Sequence, residues 1–311
     1  MDFVIRRHKI KGYVIVRKTS KRKERSTGKM KKVIKLELSK AFKNKFFYIA
    51  IIIGITITLL SYQTNISEYL GRASLNFKDK NPMIEGYTAF SCWIGGEPFS
   101  LGTSLYFFLF PLLVALPYGW SYCEEKKGGY RRLLILEVGK KEYYLSKYIA
   151  VFLSGGATMI IPLSINFWMT LMVVPAICPD PMYSIYNAVF GSAFLSEWYY
   201  TIPFLYVIAY LVIDFIYGGI LACISMAAAG WIQHKWVTVI IPFLVVLFIH
   251  ICSTYVYSYV NNFRKELSLF YFLRGTGARK DNCGIVILFM GLFLLGITLI
   301  CVIREAKQDI Y

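Results

Sequence analysis

A short charged stretch, EEKKGGYRRLLILEVGKKEYYLSK, runs from Glu124 to Lys147 between two long apolar stretches. Its carboxylates and cations can form ion pairs, and its leucines can enter an apolar groove on another protein. The chemistry that these residue types offer is therefore recognition of another protein surface.

The middle of this stretch predicts a short helix. Gly128 and Gly129 permit a turn, Tyr130–Val138 forms two helical turns, and Gly139 ends the helix as a C-cap. We interpret the helix as a docking element that joins two membrane spans. Its candidate docking residues are Tyr130, Arg131, Arg132, Leu133, Leu134, Leu136 and Glu137, and Glu124 and Glu125 mark the exit from the preceding span. The alternative is that the three leucines face the protein's own helices.

One acidic residue, Asp214 in LVIDFIYGGI, falls deep inside an apolar segment. A charged side chain there costs several kcal/mol unless it is paired or hydrated. Asp214 is thus a candidate intramembrane polar site that meets a cationic group of a substrate or shapes a cavity. The alternative is a structural hydrogen bond to a Tyr, a Ser or a backbone group.

The sequence contains no motif that would drive chemistry by itself. No GxxxxGK[ST] phosphate loop, no HExxH, no GxSxG and no calcium loop is present. The seven cysteines form no CxxC pair, and the three histidines lie far apart in the sequence. We expect neither a metal nor a cofactor in this chain, and no enzymatic activity of its own.

The composition points to a membrane protein. Of the 311 residues 57% are hydrophobic, more than soluble domains usually have. Six segments approach the roughly 20 apolar residues that a transmembrane helix needs. They are Phe46–Tyr62, Ser104–Tyr122, Tyr148–Val174, Ile202–Gly230, Trp236–Tyr257 and Gly284–Ile303.

The net charge of +17 is explained by topology. With the N-terminus inside, 27 of the 35 Lys and Arg residues fall in the cytoplasmic pieces of the six-span arrangement. This is the positive-inside pattern of membrane proteins. It predicts that both termini are cytoplasmic, and it makes a nucleic-acid partner unnecessary to explain the charge.

Two segments precede the first predicted span. Residues 1–29 are basic and lack apolar periodicity, so we predict a disordered extension. This extension either binds anionic lipid headgroups or precedes a true start at Met30. Residues 31–45 place Ile34, Leu38 and Phe42 on one helical face and lysines elsewhere, which predicts an amphipathic helix in the membrane interface. The alternative is that they are only the cytoplasmic start of the first span.

The predicted fold is thus an all-α membrane domain over residues 30–311, with six transmembrane helices, an interfacial elbow helix over 31–45 and a coupling segment over 123–147. The order of these elements, with an acidic exit, a glycine, a Leu-rich helix and then KKEYYLSKYIA, resembles the permeases of type-2 ATP-binding-cassette exporters. The chain departs from that family in its basic extension and in Gly139, which stands where a proline is common after the coupling helix.

The resemblance implies a permease that works as a homodimer or heterodimer with two separate ATPase subunits. ATP and Mg²⁺ would bind to those partner chains, and their closure would move the coupling helices. The expected substrate is amphipathic or hydrophobic, and a peptide such as a cytolytic or antimicrobial peptide is favoured. The expected location is the plasma membrane of a Gram-positive bacterium, with the lipid bilayer as a further partner.

Two other functions remain open on the sequence. One is a membrane scaffold or sensor that binds a cytoplasmic partner without transport. The other is a self-powered carrier or channel, which would need several intramembrane polar groups or inverted repeats. A single intramembrane Asp and the lack of an evident repeat make the carrier or channel the weaker alternative.

Overall fold

The computed structural model describes most of the membrane domain. The described residues are 30–74, 87–97, 99–183, 189–259, 265–276 and 280–307. The predicted extension over residues 1–29 lies outside them. Within the described ranges the fold is all-helical, with one isolated bridge between Lys265 and Asp281.

Twelve α-helices can be traced in these ranges. They are α1 (30–42), α2 (Lys45–Ser74), α3 (Ala89–Cys92), α4 (Leu101–Ala115), α5 (Ser121–Lys127), α6 (Tyr130–Val138), α7 (Lys140–Leu171), α8 (Ser196–Thr201), α9 (Pro203–Ala228), α10 (Lys235–Tyr259), α11 (Leu269–Phe272) and α12 (Gly284–Lys307).

Five of these helices, α2, α7, α9, α10 and α12, are long and apolar enough to cross a membrane. Their outer faces carry exposed large apolar side chains such as Ile52, Phe248 and Phe289. A soluble monomer rarely exposes apolar patches on this scale. The chain therefore has the features of a multi-pass membrane protein.

The helix directions follow from individual contacts. Asn166 on α7 donates from Nδ2 to the carbonyl oxygen of Thr58 on α2 at 2.9 Å, and one turn earlier on each helix Pro162 lies against Gly54. The helices α2 and α7 are therefore parallel.

The remaining long helices complete an alternating pattern. α9 is antiparallel to α7, because Phe152 packs on Gly219 while Gly156, one turn later on α7, packs on Phe215. α12 runs parallel to α9, because Tyr217 donates to Ile287 near the start of α12 and Lys126 binds both Gly230, just after α9, and Glu305, near the end of α12. α10 runs antiparallel to α4, because Phe243 packs on Phe108 while Lys235 lies over Trp120, after the end of α4. One end of the bundle therefore holds α1, α5, α6 and the last turn of α12.

The second predicted span, Ser104–Tyr122, was wrong in its bounds. The helix α4 starts at Leu101 with Ser100 as its N-cap and ends at Ala115, and a turn over 116–120 follows. Pro117 lies in that turn, and a proline has no N–H to continue a helix. At 15 residues, α4 is about 22 Å long, shorter than a bilayer core of about 30 Å.

The short helix α4 is nevertheless central to the bundle. It packs against α2, α7, α9 and α10, and most of its side chains are buried. The Thr103 hydroxyl lies 3.0 Å from that of Ser61 on α2, while Asn44 just before α2 donates to the carbonyl oxygen of Pro117 at 2.8 Å. The helix α4 therefore runs antiparallel to α2 along most of the length of the bundle.

The predicted amphipathic helix over 31–45 is present as α1, which ends at 42. Ala41 is buried and Leu38 packs against the core at this end of the bundle, while Lys35 and Lys43 are exposed, as the pattern predicts. One feature differs from the prediction. The apolar face also carries Glu37, which is fully buried.

The helices α7 and α9 approach each other closely at small residues. A Cβ added at Gly155 would lie 2.4 Å from the Cβ of Ala222 and 2.9 Å from the carbonyl oxygen of Gly218. Small residues at such a contact let two helix backbones approach. The small-residue run that begins at Gly218 thus serves helix packing.

Replacing Gly155 with leucine is expected to destabilise the bundle by about 1–3 kcal/mol or more, because the new side chain has no space at the α7–α9 contact. Gly296 on α12 is the matched control, since a Cβ added there meets nothing within 4 Å. Thermal unfolding of Gly155→Leu and Gly296→Leu in detergent should show a loss only in the first. Equal losses in both variants would contradict this account of the contact.

Candidate functional site

The helix α6 has the bounds that the sequence predicts, because a glycine with positive φ stands at each end. Gly129 has φ 70° and Gly139 has φ 110°. L-amino acids with a side chain rarely adopt either conformation. The two glycines therefore interrupt the helix on both sides, so α6 is a separate short helix between α5 and α7.

One face of α6 is seated on the protein and the other is open. Ile135 is buried and Leu134 is partly buried against the cluster that includes Tyr122 and Tyr143. Leu134 is thus part of the chain's own packing and does not belong to the open face with the other two predicted leucines.

The open face presents Leu133 and Leu136, whose side chains are 66% and 85% exposed. Arg132 and Glu137 are also exposed beside them. Tyr130 is exposed at the start of the helix, with the ammonium of Lys40 5.0 Å from its ring centroid. Two exposed leucines between charges of opposite sign form an amphipathic surface of one and a half turns.

A cluster of four charges lies next to α6, at the meeting of α1, α5 and α7. We name Glu37, Lys40, Glu125 and Lys147 the buried ion cluster. Lys147 Nζ is completely buried and lies 3.0 Å from Glu37 Oε2 and 2.7 Å from Glu125 Oε1. Lys40 lies 2.8 Å from Glu37 and 3.9 Å from Glu125. Two cations and two carboxylates therefore balance one another.

Two tyrosines complete the hydrogen bonding of the buried ion cluster. Tyr118 donates to Glu37 Oε2 at 2.8 Å and accepts from Lys147 Nζ at 3.0 Å. Tyr143 donates to Glu125 Oε2. Burial, and then the neighbouring Glu37 and Glu125 charges, raise the pKa of Tyr118 far above its ordinary value, so its phenol keeps its proton and donates at neutral pH.

The carboxyl of Glu37 is held in its charged form. Burial by itself would raise the pKa of Glu37, but the ammonium groups of Lys147 and Lys40 outweigh it, and the pKa lies below its ordinary value. Glu37 therefore remains a carboxylate at neutral pH and ties α1 to the start of α7.

A second set of charges joins the same segment to the end of α12. Glu305 Oε1 lies 2.8 Å from Lys126 Nζ and 3.2 Å from Arg131 Nη1, and it accepts from Tyr122 at 3.0 Å. Lys126 also donates to the carbonyl oxygen of Gly230. The predicted docking residue Arg131 is therefore engaged within the chain, and it anchors α6 to α12.

Glu124, the other acidic residue predicted at the exit from the second span, forms an ion pair on the protein surface. Glu124 lies 2.9 Å from Lys235 at the start of α10, and both side chains are substantially exposed. Such pairs contribute only about 0–1 kcal/mol. Together with the buried ion cluster and the partly buried Glu305 pairs, this pair links residues 124–131 to α1, α7, α10 and α12.

Asp214 lies apart from these charges, in the middle of α9. It is 2% exposed, and its Oδ1 accepts no hydrogen bond from any described residue. It is 16 residues before Gly230, about 24 Å along a helix from the end that carries α6. The structure therefore does not join the two predicted sites.

Sequence reasoning missed Glu37, Lys147 and Glu305. The pairs Glu37–Lys147 and Lys126–Glu305 join residues 110 and 179 positions apart in the chain, so no local spacing indicates them. The sequence offered three signals. Glu37 lies on the apolar face of α1, Lys147 lies near the start of the apolar helix α7, and Glu305 lies near the end of the apolar helix α12. In the described ranges no group of three or more His, Cys, Asp and Glu side chains is placed to hold a metal ion.

Comparison with known proteins gives no assignment. No protein-family model matches the chain, and no curated protein matches it.

Proposed function

We propose that the chain is the membrane-spanning permease subunit of an ATP-driven exporter of the type-2 ATP-binding-cassette family. The observation that carries this proposal is α6, a nine-residue helix between two bundle helices that exposes Leu133 and Leu136 while its other face is anchored. These two exposed leucines allow a cytoplasmic partner to bind α6, and the anchored face transmits the movement of α6 to the bundle.

The anchoring of α6 supports coupling to the membrane part. Arg131 on α6 is paired with α12, and the adjoining helix α5 is paired with α1, α7, α10 and α12. In this proposal a displacement of α6 acts on α12 directly and on the other helices through α5. A partner that binds two arrangements of α6 with different affinity would shift the equilibrium between two arrangements of the bundle. In this proposal the partner is a separate ATPase, which holds ATP and Mg²⁺.

The proposed topology has six crossings, with α4 as the second. Six helices that alternate in direction, and the location of α1, α6 and the end of α12 at one end of the bundle, support it. In this topology that end is cytoplasmic, α1 lies in the membrane interface, and two copies of the chain assemble with two ATPase subunits.

The proposed substrate is an amphipathic or hydrophobic molecule, with a peptide favoured. The apolar and aromatic character of the bundle supports this class, because a hydrophobic solute can leave the bilayer and enter an apolar path at little cost. The proposed location is the plasma membrane of a Gram-positive bacterium.

Purification of the intact protein from its host in mild detergent, with mass spectrometry of the associated chains, tests the proposal. We expect a protein with a phosphate-binding loop, in a ratio of one to each permease chain. Isolation of the chain alone, or only with proteins that lack an ATPase signature, would instead favour a membrane scaffold or sensor.

A further inference from the structure

An apolar groove of about 360 Å³ lies between α9 and α12. Its walls include Phe194, Ile216 and Leu292, and its one side-chain hydroxyl, that of Tyr217, donates to the carbonyl oxygen of Ile287. The groove therefore offers no free polar group along its walls. A ligand that fits it must be a hydrocarbon.

The groove is open along one side. Leu288 and Leu292 line it from α12 and are both more than half exposed, and Ile216 lines it from α9 and is also exposed. These residues belong to helices that are apolar enough to cross a membrane. The open side therefore faces lipid and not water.

The dimensions of the groove restrict its occupant. On α12 its walls extend from Gly284 to Leu295, about 16 Å at 1.5 Å per residue. This is about half of a hydrocarbon core of about 30 Å, the depth of one leaflet. A volume of about 360 Å³ spread over this length describes a narrow, elongated space along the two helices. One extended hydrocarbon chain fits.

Charged groups stand at the Gly284 end, which is the end opposite Glu305 on α12. Asp281 and Lys280 lie three and four residues before Gly284, and Lys265 pairs with Asp281 in a backbone bridge. Asp281 accepts a hydrogen bond from Ser192 at 2.7 Å. The neighbouring Glu266 is fully buried and accepts a hydrogen bond from Tyr257. Among the groups here that reach the surface, the two lysines therefore outnumber the single carboxylate of Asp281, which complements a headgroup phosphate.

We propose that this groove binds one acyl chain of a phospholipid of the leaflet at the Gly284 end, with the lipid phosphate near Lys265 and Lys280. The site lies in the opposite half of the bundle from α6, and it does not depend on the exporter assignment. A bound lipid fills the space between α9 and α12 and holds the two helices at a fixed separation.

Native mass spectrometry of the full chain tests the proposal, with palmitoyl-oleoyl phosphatidylglycerol added to delipidated protein. Leu288→Trp fills the groove, and Ile300→Trp is the control on the same helix outside it, at a residue of similar exposure. We expect wild type and Ile300→Trp to retain one lipid per chain, and Leu288→Trp to retain it at least about tenfold less. Equal retention by both variants, or none by wild type, would overturn the site.

A photo-crosslinking residue identifies the occupant directly and needs no bulky substitution. A diazirine-bearing aliphatic side chain at position 292 should add the mass of one phospholipid to the chain on irradiation in membranes. A crosslink to a second copy of the chain would mean that the groove is an interface between subunits, and the lipid site would be wrong.

Discussion

The Lys147→Met variant is expected to be about 3–5 kcal/mol less stable than wild type. Lys147 is completely buried and is the cation closest to Glu125, and it shares Glu37 with Lys40. Its removal leaves two carboxylates with only Lys40, so one buried negative charge is uncompensated. Thermal unfolding of the detergent-solubilised chain measures the loss.

Two control variants separate this effect from a general loss of a lysine. Lys235→Met breaks the exposed pair with Glu124 and should cost no more than about 1 kcal/mol. Lys147→Met combined with Glu37→Gln leaves Lys40 with Glu125, so the double variant should be more stable than Lys147→Met alone. If Lys147→Met were no more destabilising than Lys235→Met, the buried ion cluster would not be what ties α1 to α7.

The Leu133→Ser and Leu136→Ser double variant is expected to lose association with the proposed ATPase while the chain itself stays folded. Each leucine contributes roughly 1.5–3 kcal/mol if it is fully buried in the partner, so the pair accounts for at least about a 100-fold change in affinity. Both side chains are exposed in the chain, and their removal breaks no packing within it. Co-purification of tagged permease and ATPase measures the effect.

The control for docking is a leucine elsewhere at the same end of the bundle. Leu145 on α7 is about half exposed, and Leu145→Ser should leave co-purification unchanged. Leu134→Ser is the opposite control, because Leu134 packs against the chain itself and its loss should lower thermal stability. Full retention of the ATPase by the Leu133→Ser and Leu136→Ser variant would show that α6 is not the docking surface.

The sequence predicts the bounds of α6 because local chemistry determines them. Gly129 and Gly139 end the helix on both sides, and each has a positive φ, which glycine adopts without steric cost. The amphipathic pattern of α1 and five of the long apolar helices are recognisable for a similar reason. Their periodicity or length is contained within one segment.

The sequence could not predict which leucines of α6 are open. Residues 133–136 are four consecutive apolar side chains, LLIL, and at about 100° per residue they cover the whole circumference of the helix. Only the position of α6 against Tyr122 and Tyr143 decides that Leu134 and Ile135 face inward. The buried ion cluster is unpredictable for the same reason, since it depends on tertiary packing.

The separation of the buried charges along the chain has a consequence for biosynthesis. Glu37 is 110 residues ahead of Lys147, and Lys126 is 179 residues ahead of Glu305. At about 5–20 residues per second, a ribosome needs roughly 6–22 s to supply the first missing partner and longer for the second. The segment that carries α6 therefore gains its link to α12 only after Glu305 has been made. A chain that terminates before this residue would present α6 without that link.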